Sequence, residues 1–457
     1  MKHFHLHAAV FIAASFLNGC GIYTRYSRPQ LDVAADSLYR TAAPMADSSS
    51  VASTPWREFF TDPCLQALIA TGLQRNTDLD IARLQVEEAR ASLQNARLAY
   101  LPAVSLAPQA STSHYNGATK SVYNVGATAS WELDIFGRVT NAKRAALASL
   151  EQSLAYAQAV RTQLVATIAE SYYTLLLLDE QLAISGETLS IWDETIATLE
   201  ALVKAGKSND VAVHQARASR SALEASMLSI SKSISETENA LSALLKEPAH
   251  AIERGTLGGQ HFPDDISVGL PIRLLANRPD VRQAEAALAQ AFYTTNSARA
   301  AFYPSITLTG SLGWTNNANS VTIDPGKWLS SAIASLTAPL FNKGANIANL
   351  RVAKASQQEA ALQFEQSLLD AGNEVNNALT RWQTAEKRIR LDREQVAHLE
   401  SATEKTKLLM LYTSATYLEV LTAQQALLAA RMALAQDSIE KIQSVISLYH
   451  ALGGGSE

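Results

Sequence analysis

The sequence predicts an α+β membrane protein in which four β-strands per chain join a barrel shared between chains, continued by long α-helices. Three observations predict this fold class: an N-terminal export signal, two proline-free stretches of 67 residues, and two pairs of alternating strands. The 457 residues are 47% hydrophobic and 18% charged, with a formal net charge of -5. This composition excludes a disordered chain, a multi-span helical protein and a basic nucleic-acid-binding surface.

The N-terminus carries a localisation signal. Lys2 begins a short histidine-containing region, residues 8–17 are apolar, and Leu17-Asn18-Gly19-Cys20 follows. This pattern is typical of a secretory signal, here 1–19, and resembles the lipobox of bacterial lipoprotein precursors, in which the cysteine becomes the lipidated first residue. We expect no cofactor beyond the covalent lipid on Cys20. The alternative is an ordinary signal peptide with an incidental cysteine.

Residues 20–63 are rich in serine, alanine and proline, and predict an extended tether behind the lipid anchor. A first repeat follows at 64–246, then a linker at 247–276, a second repeat at 277–450 and a flexible tail at 451–457. Each repeat is predicted to contain an initial helix, a strand pair, a long helix and a return helix. The predicted bounds are 103–136, 138–204 and 211–246 in the first repeat and 304–340, 345–411 and 416–450 in the second.

The long helices are predicted by a seven-residue apolar period. Stepping by seven from Leu154 to Val203 gives an apolar residue at every position except Arg161. At 1.5 Å per residue, such a helix would be roughly 100 Å long, far beyond an ordinary globular-domain helix. The flanks repeat as well, because residues identical to Asp78, Arg97 and Pro102 occur 202 positions later. The two long stretches and their repeated flanks indicate an internal duplication.

The strand pairs alternate between apolar and small polar residues. Between Tyr123 and Trp131, and again between Ile306 and Trp314, apolar residues occupy every second position. Strands of about 9 to 11 residues with one apolar face and terminal aromatics are typical of membrane barrels. Four strands are too few to close a barrel, so chains must share one. The alternative is an amphipathic hairpin packed on a soluble core.

Catalytic and metal-binding patterns are weak in this sequence. Residues 201–208 end in Gly-Lys-Ser like a phosphate-binding loop, but Ala201 replaces the first glycine and a helix precedes it. The histidines have no metal-ligand spacing, and the five methionines do not indicate a soft-metal path. We therefore expect a protein that is not an enzyme, and Cys64 is expected to pack as a small hydrophobe.

Several motifs resemble those of TolC-like outer-membrane factors, in their lipidated NodT-type branch. The most specific is Trp131–Arg138, which reads Trp-Glu-Leu-Asp-Ile-Phe-Gly-Arg at the end of a predicted strand. The other matching segments, in chain order, are Tyr26–Pro29, Arg97–Pro102, Asn277–Arg282, Ala301–Pro304 and Tyr417–Gln424.

This resemblance implies a homotrimer with a twelve-stranded barrel in the outer membrane of a Gram-negative bacterium and a tunnel of α-helices in the periplasm. It implies the exit duct of a tripartite efflux pump. The implied partners are outer-membrane lipid, a periplasmic membrane-fusion adaptor and an inner-membrane transporter, for which we expect the RND type. Two alternatives stay open: the channel of a type I protein secretion system, and a structural envelope lipoprotein without a pore.

The resemblance also implies functional positions at the periplasmic turns. Adaptor contacts are expected at Gly206, Lys207, Ser208, Thr413, Ser414 and Tyr417. An acidic ring that constricts the entrance is expected at Glu419, with Asp210 as a substitute in the first turn. Carboxylates brought together by threefold symmetry would make a cation-selective constriction. The alternative is that Glu419 is a solvated helix residue.

Overall fold

The computed structural model describes residues 24–28, 54–260, 278–315, 328–412 and 416–455. The chain divides into two compact units, each assembled from three segments of the sequence. The first unit contains the described residues of 1–31, 84–155 and 282–366. The second contains those of 32–83, 156–281 and 367–457. Both units therefore take segments from both sequence repeats.

The first unit holds an antiparallel sheet. Its strands are β1 (Ala103–Leu106), β2 (Gln109–Tyr115), β3 (Ala118–Leu133), β4 (Ser305–Thr315) and β5 (Trp328–Thr337). Both β1 and β2 pair with the same edge of β3, and β4 and β5 follow on the other side. The first predicted strand is thus broken in two at 107–108, where Pro108 has no backbone N–H to continue the ladder. Because β1 and β2 lie end to end along β3, the five strands occupy four positions across the sheet.

The register places unlike side chains on the two faces of this sheet. One row across all four positions carries only hydroxyls, Ser105, Thr128, Ser311 and Ser331, each directly opposite the next. Hydroxyl oxygens meet at 2.9 Å between Ser105 and Thr128 and at 2.7 Å between Ser311 and Ser331. The opposite face is apolar. It includes the directly opposed row Leu133, Ile306 and Leu336, with Trp131 and Leu308 in the next row.

Two glycines allow β3 and β4 to approach closely. Gly126 and Gly313 lie directly opposite each other. A Cβ on Gly126 would lie 2.7 Å from the Leu312 carbonyl oxygen, and one on Gly313 would lie 2.5 Å from the Cα of Gly126. Both contacts are with backbone atoms. Only glycine fits this crossing point without moving a strand.

Eight α-helices are present in the described parts of the chain. They are α1 (Trp56–Phe59), α2 (Pro63–Arg75), α3 (Thr77–Leu98), α4 (Arg138–Lys204), α5 (Asp210–Leu244), α6 (Pro279–Ala300), α7 (Ala345–Tyr412) and α8 (Tyr417–Ala451). The long helices α4 and α7 have 67 and 68 residues. Among the described residues, no helix has the length and apolarity needed to cross a lipid bilayer.

The core of the second unit is built on α4. Ile168, Tyr172 and Leu175 are fully buried at helical spacing along one face. Phe59 and Tyr449 stack there with ring centroids 4.1 Å apart. Burying one such side chain contributes about 1.5–3 kcal/mol. The apolar residues of the long helix therefore serve to pack neighbouring helices, as the heptad period indicates.

Two predicted boundaries need correction. The tether was expected to be extended as far as residue 63, but Trp56–Phe59 forms a helical turn whose aromatic side chains are buried in the core. The tail was expected to be flexible from residue 451, but Leu452 and the three glycines that follow are buried. The ring of Tyr449 lies 2.4 Å from the position of a Cβ on Gly454, so only glycine fits beside it. Aromatic packing orders both segments.

Candidate functional site: the helical hairpin ends and the two-faced sheet

The Trp131–Arg138 motif forms the corner between β3 and α4. Asp134 accepts hydrogen bonds from the backbone N–H groups of Val139 and Thr140, at 2.9 and 2.7 Å, and from the Thr140 hydroxyl at 2.6 Å. It thereby satisfies free donors of the first helical turn. Gly137 takes a positive φ of 67°, and Arg138 pairs with Glu132. The motif therefore ends β3 and caps the start of α4.

The described N-terminal segment, 24–28, lies along α6. Arg28 donates hydrogen bonds to both carboxylate oxygens of Glu285, and the ring of Tyr26 contacts that of Phe292 at 5.7 Å. Asn296 donates to the carbonyl of Thr24 at 3.4 Å. Burial raises the pKa of Tyr26 to about 12. We call residues 24–28 the N-terminal strap; it runs antiparallel to α6.

The first hairpin turn follows α4. Gly206 has φ of +69°, its N–H donates to the Val203 carbonyl at 3.0 Å, and the N–H of Lys207 donates to the Leu202 carbonyl at 2.9 Å. This is the Schellman arrangement that ends helices at glycine. Asn209 caps α5 by accepting from Ala212. Gly206, Lys207 and Asp210 are exposed and Ser208 is half-buried.

The second hairpin is described from Thr416 onward. Its predicted turn residues Thr413 and Ser414 lie outside the described residues. Glu419 is exposed, and its Oε2 accepts a hydrogen bond from the Thr416 backbone N–H at 3.1 Å. That bond is half of a capping box, which is worth about 1 kcal/mol to a helix start. The carboxylate therefore supports α8, and it stays accessible.

The two hairpins meet close to these turns. The Tyr417 hydroxyl donates to Oε1 of Gln215 on α5. An apolar cluster of Ile196, Leu199, Ala212, Val213 and Ala216 lies beside them, and Val203, Met410 and Tyr417 pack against it. The structure thus brings Tyr417 next to the helix that carries Asp210. The sequence prediction missed Gln215, for which no motif exists.

Ionic contacts continue along the hairpins. Arg431 on α8 contacts Glu187 on α4 at 3.1 Å and Glu400 on α7 at 2.7 Å. Gln424, which is buried, donates to the Thr195 hydroxyl at 3.0 Å. These contacts fix the register of α8 against its neighbours, since each joins a side chain of α8 to one of α4 or α7. In the described parts of the chain, no group of three or more His, Cys, Asp or Glu residues could hold a metal ion.

A sheet with one apolar face and one hydroxyl face, joined by a capped corner to the first of two long helices, defines a class of protein. This class is that of outer-membrane channels with a helical extension. The family model "Outer membrane efflux protein" matches residues 68–246 and 270–454. The chain belongs to the outer membrane efflux protein family.

Curated relatives are similar along their full length. The chain is 30% identical to the Cation efflux system protein CusC of Escherichia coli (strain K12), covering 97% of this chain and 98% of that protein. It is 31% identical to the Probable outer membrane lipoprotein SilC of Salmonella typhimurium, covering 98% and 97%. The open state of the Neisseria gonorrhoeae MtrE outer membrane channel superposes with a TM-score of 0.86 at 30% identity, over 96% of this chain and 99% of that one.

These comparisons confirm the predicted family, the fold class, the outer-membrane location and the role in efflux. The family is one of transport proteins rather than of enzymes. The individual positions predicted at the turns, and the lipid on Cys20, stay predictions.

Proposed function

We propose that three copies of this chain close a twelve-stranded barrel and act as the passive exit duct of a tripartite efflux pump. A periplasmic membrane-fusion adaptor connects the duct to an inner-membrane transporter of the RND type, which supplies the energy. The chain itself catalyses no reaction. The observation that carries this proposal is the two-faced sheet, because four strand positions leave open edges that only other copies can cover.

The apolar face of the sheet contacts lipid in this proposal. Leu106, Leu312 and Leu336 on that face are 72%, 53% and 68% exposed in the isolated chain. Leaving such side chains in water is unfavourable, by about 1.5–3 kcal/mol for each relative to burial. Trp314 and Trp328, whose ring centroids are 4.5 Å apart, lie at one end of the strands, as in an interfacial aromatic belt. The hydroxyl row then faces the lumen.

The exposed hairpin turns serve as the adaptor contact and the entrance. Gly206, Lys207 and Ser208 supply the first contact, and Thr413, Ser414 and Tyr417 the second. Glu419 and Asp210 form the acidic constriction. The exposed carboxylate of Glu419 supports this role, because the cap of α8 uses Oε2 and a carboxylate has a second oxygen that can accept hydrogen bonds.

The lipid on Cys20 supplies a second membrane attachment. The N-terminal strap supports this part of the proposal, since it holds Thr24 against α6 only four residues beyond Cys20. A single acyl group anchors a protein weakly, so the barrel and the lipid act together.

The two faces are tested with adjacent substitutions on β3. Thr128→Lys places a charge on the hydroxyl face, so the channel should form with its ion selectivity shifted toward anions. Ala129→Lys places the same charge on the apolar face, at a cost of about 2–4 kcal/mol at mid-membrane depth, and should reduce insertion. The measurement is single-channel conductance of purified protein in planar bilayers. Equal behaviour of the two variants would contradict the assignment of faces.

The efflux role is tested in cells. Deleting the gene should raise the accumulation of a dye or drug when the cognate pump is expressed, and the wild-type chain should restore export. Loss of a secreted protein with unchanged dye accumulation would favour the type I secretion alternative. Purified protein without any conductance would favour the structural lipoprotein.

A further inference from the structure

The four connections between helices and strands lie at the same end of the strands. We call them the rim, and they are 99–102 (α3 to β1), 134–137 (β3 to α4), 301–304 (α6 to β4) and 338–344 (β5 to α7). Each contains two adjacent large apolar residues, namely Tyr100-Leu101, Ile135-Phe136, Phe302-Tyr303 and Leu340-Phe341. In the isolated chain Leu101 is 61% exposed, Ile135 53% and Phe341 87%. The rim therefore presents apolar surface that the chain does not cover.

The centre of the rim lies away from the open edges of the sheet. Phe136 stacks on Tyr303 with ring centroids 5.0 Å apart, which joins the connections that border β3 and β4. These two strands are interior, because β1 and β2 pair with the other edge of β3 and β5 pairs with the other edge of β4. A neighbouring copy that joins at the outer strands would therefore leave the centre of the rim uncovered.

A lysine is positioned beside the apolar face at this rim. Trp131, which belongs to the apolar face, donates a hydrogen bond from its indole N–H to the Tyr100 carbonyl at 2.9 Å. The hydroxyls of Tyr100 and Thr140 lie 2.8 Å apart, and the ammonium of Lys143 lies 5.1 Å from the centroid of the Tyr100 ring. The ring attracts this cation. Trp131 and Tyr100 thus place a positive charge next to the apolar face.

Basic residues outnumber acidic ones in and beside the rim. The ranges 97–102, 132–144, 299–304 and 338–344 contain six basic residues, Arg97, Arg138, Lys143, Arg144, Arg299 and Lys343, and two acidic ones, Glu132 and Asp134. Glu132 pairs with Arg138, and Asp134 accepts hydrogen bonds from the start of α4. In the part of the chain that the structure describes, Lys143 forms no ion pair with a carboxylate. The rim is therefore complementary to an anion.

We propose that the rim, with Lys143 at its centre, binds the head group of an acidic phospholipid. Because the long helices leave the sheet at this end, the rim borders the periplasmic leaflet of the outer membrane. The ammonium of Lys143 contacts the lipid phosphate, while Leu101 and Ile135 contact the acyl chains. Tyr100 and Trp131 suit this depth, since amphipathic aromatic side chains favour the boundary between water and hydrocarbon.

This inference rests on the proposed function, which places the apolar face of the sheet in lipid. It adds a preference for one class of lipid. A long basic side chain can keep its methylene groups on apolar surface while its charge reaches a phosphate. Clusters of basic side chains at a membrane surface select anionic lipids in this way.

Competition between two phospholipids tests the proposal, followed by native mass spectrometry of the full-length trimer in detergent. Phosphatidylglycerol, which is anionic, and phosphatidylethanolamine, which is zwitterionic, are added at equal concentration with identical acyl chains. The ratio of the two bound lipids is measured. Because one basic side chain near a membrane surface favours an anionic lipid about fivefold, the wild type should bind at least about five times more phosphatidylglycerol.

Three variants assign this preference to Lys143. Lys143→Gln should lower the ratio about fivefold, whereas Lys143→Arg should retain most of it because the charge and its attraction to the Tyr100 ring remain. Lys204→Gln is the matched control, since it removes the same charge from the last residue of the same helix. Its ratio should equal that of the wild type. Equal ratios for Lys143→Gln and Lys204→Gln would overturn the assignment.

The wild type alone supplies a second measurement should Lys143→Gln fail to assemble. Raising ammonium acetate from 0.1 M to 1 M shortens the Debye length from about 10 Å to about 3 Å, so the preference should fall severalfold. An unchanged ratio would overturn the proposal. Equal binding of the two lipids at 0.1 M would overturn the head-group site and leave the lipid-facing sheet in place. A trimer that retains neither lipid would contradict the lipid-facing sheet itself, and with it the proposed function.

Discussion

Placing one methyl group at the β3–β4 crossing should destabilise the barrel. In Gly126→Ala the new Cβ would lie 2.7 Å from the Leu312 carbonyl oxygen and 2.8 Å from the Cα of Gly313. Ordinary van der Waals contact needs about 3.4 Å or more, and both neighbours are backbone atoms held in the ladder, so the strands must separate. Overpacking of this kind costs about 1–3 kcal/mol for each chain.

Gly310→Ala is the matched control, because it adds the same methyl group to β4, one of the two strands at this crossing. Its Cβ would meet nothing closer than the Ser331 carbonyl oxygen at 3.7 Å, an ordinary contact. The assay is the temperature at which the assembled protein dissociates in detergent, followed by electrophoretic mobility of unboiled samples. Gly126→Ala should dissociate several degrees lower than wild type and Gly310→Ala close to it. Equal dissociation temperatures for the two variants would refute this reasoning.

Three further predictions concern the corner, the entrance and the strap. Asp134→Ala should cost about 1–2 kcal/mol and speed amide exchange at 138–141, while Asp134→Asn, which still accepts hydrogen bonds, should retain most protection. Glu419→Gln should change the ion selectivity of the closed-state conductance and its block by divalent cations; if both stay as in wild type, Glu419 is not at the constriction. Arg28→Ala and Glu285→Gln should each release the strap, seen as equal increases in proteolysis near residue 28, and unequal increases would show that the pair acts separately.

The limits of the long helices are predictable because local signals mark both ends. Gly137 precedes Arg138, and Gly206 follows Lys204, so the predicted helix 138–204 agrees with α4 residue for residue. Between these signals no proline interrupts the apolar period. For α7 the signals are Gly344 and the end of the heptads, and the predicted end differs by one residue.

The contacts within the candidate site were less predictable because they join distant parts of the sequence. The Tyr417 to Gln215 hydrogen bond spans 202 positions and the Arg28 to Glu285 pair spans 257. No local pattern identifies such partners. Asp437 illustrates the same limit, since a single aspartate in a helix is usually exposed and only packing shows that it is buried. The predicted roles of Glu419 and Asp210 stay predictions for the same reason.

In the proposed lipidated protein, the N-terminal strap would limit how far the lipid on Cys20 can lie from α6. Three residues lie between Cys20 and Thr24, and a fully extended chain spans at most about 3.5 Å per residue, so the Cα of Cys20 can lie no farther than about 14 Å from that of Thr24. Thr24 is held at Asn296, one helical turn before α6 ends and nine positions before β4 begins. An acyl group on Cys20 would therefore stay close to the end of α6 that leads into β4 of the same subunit.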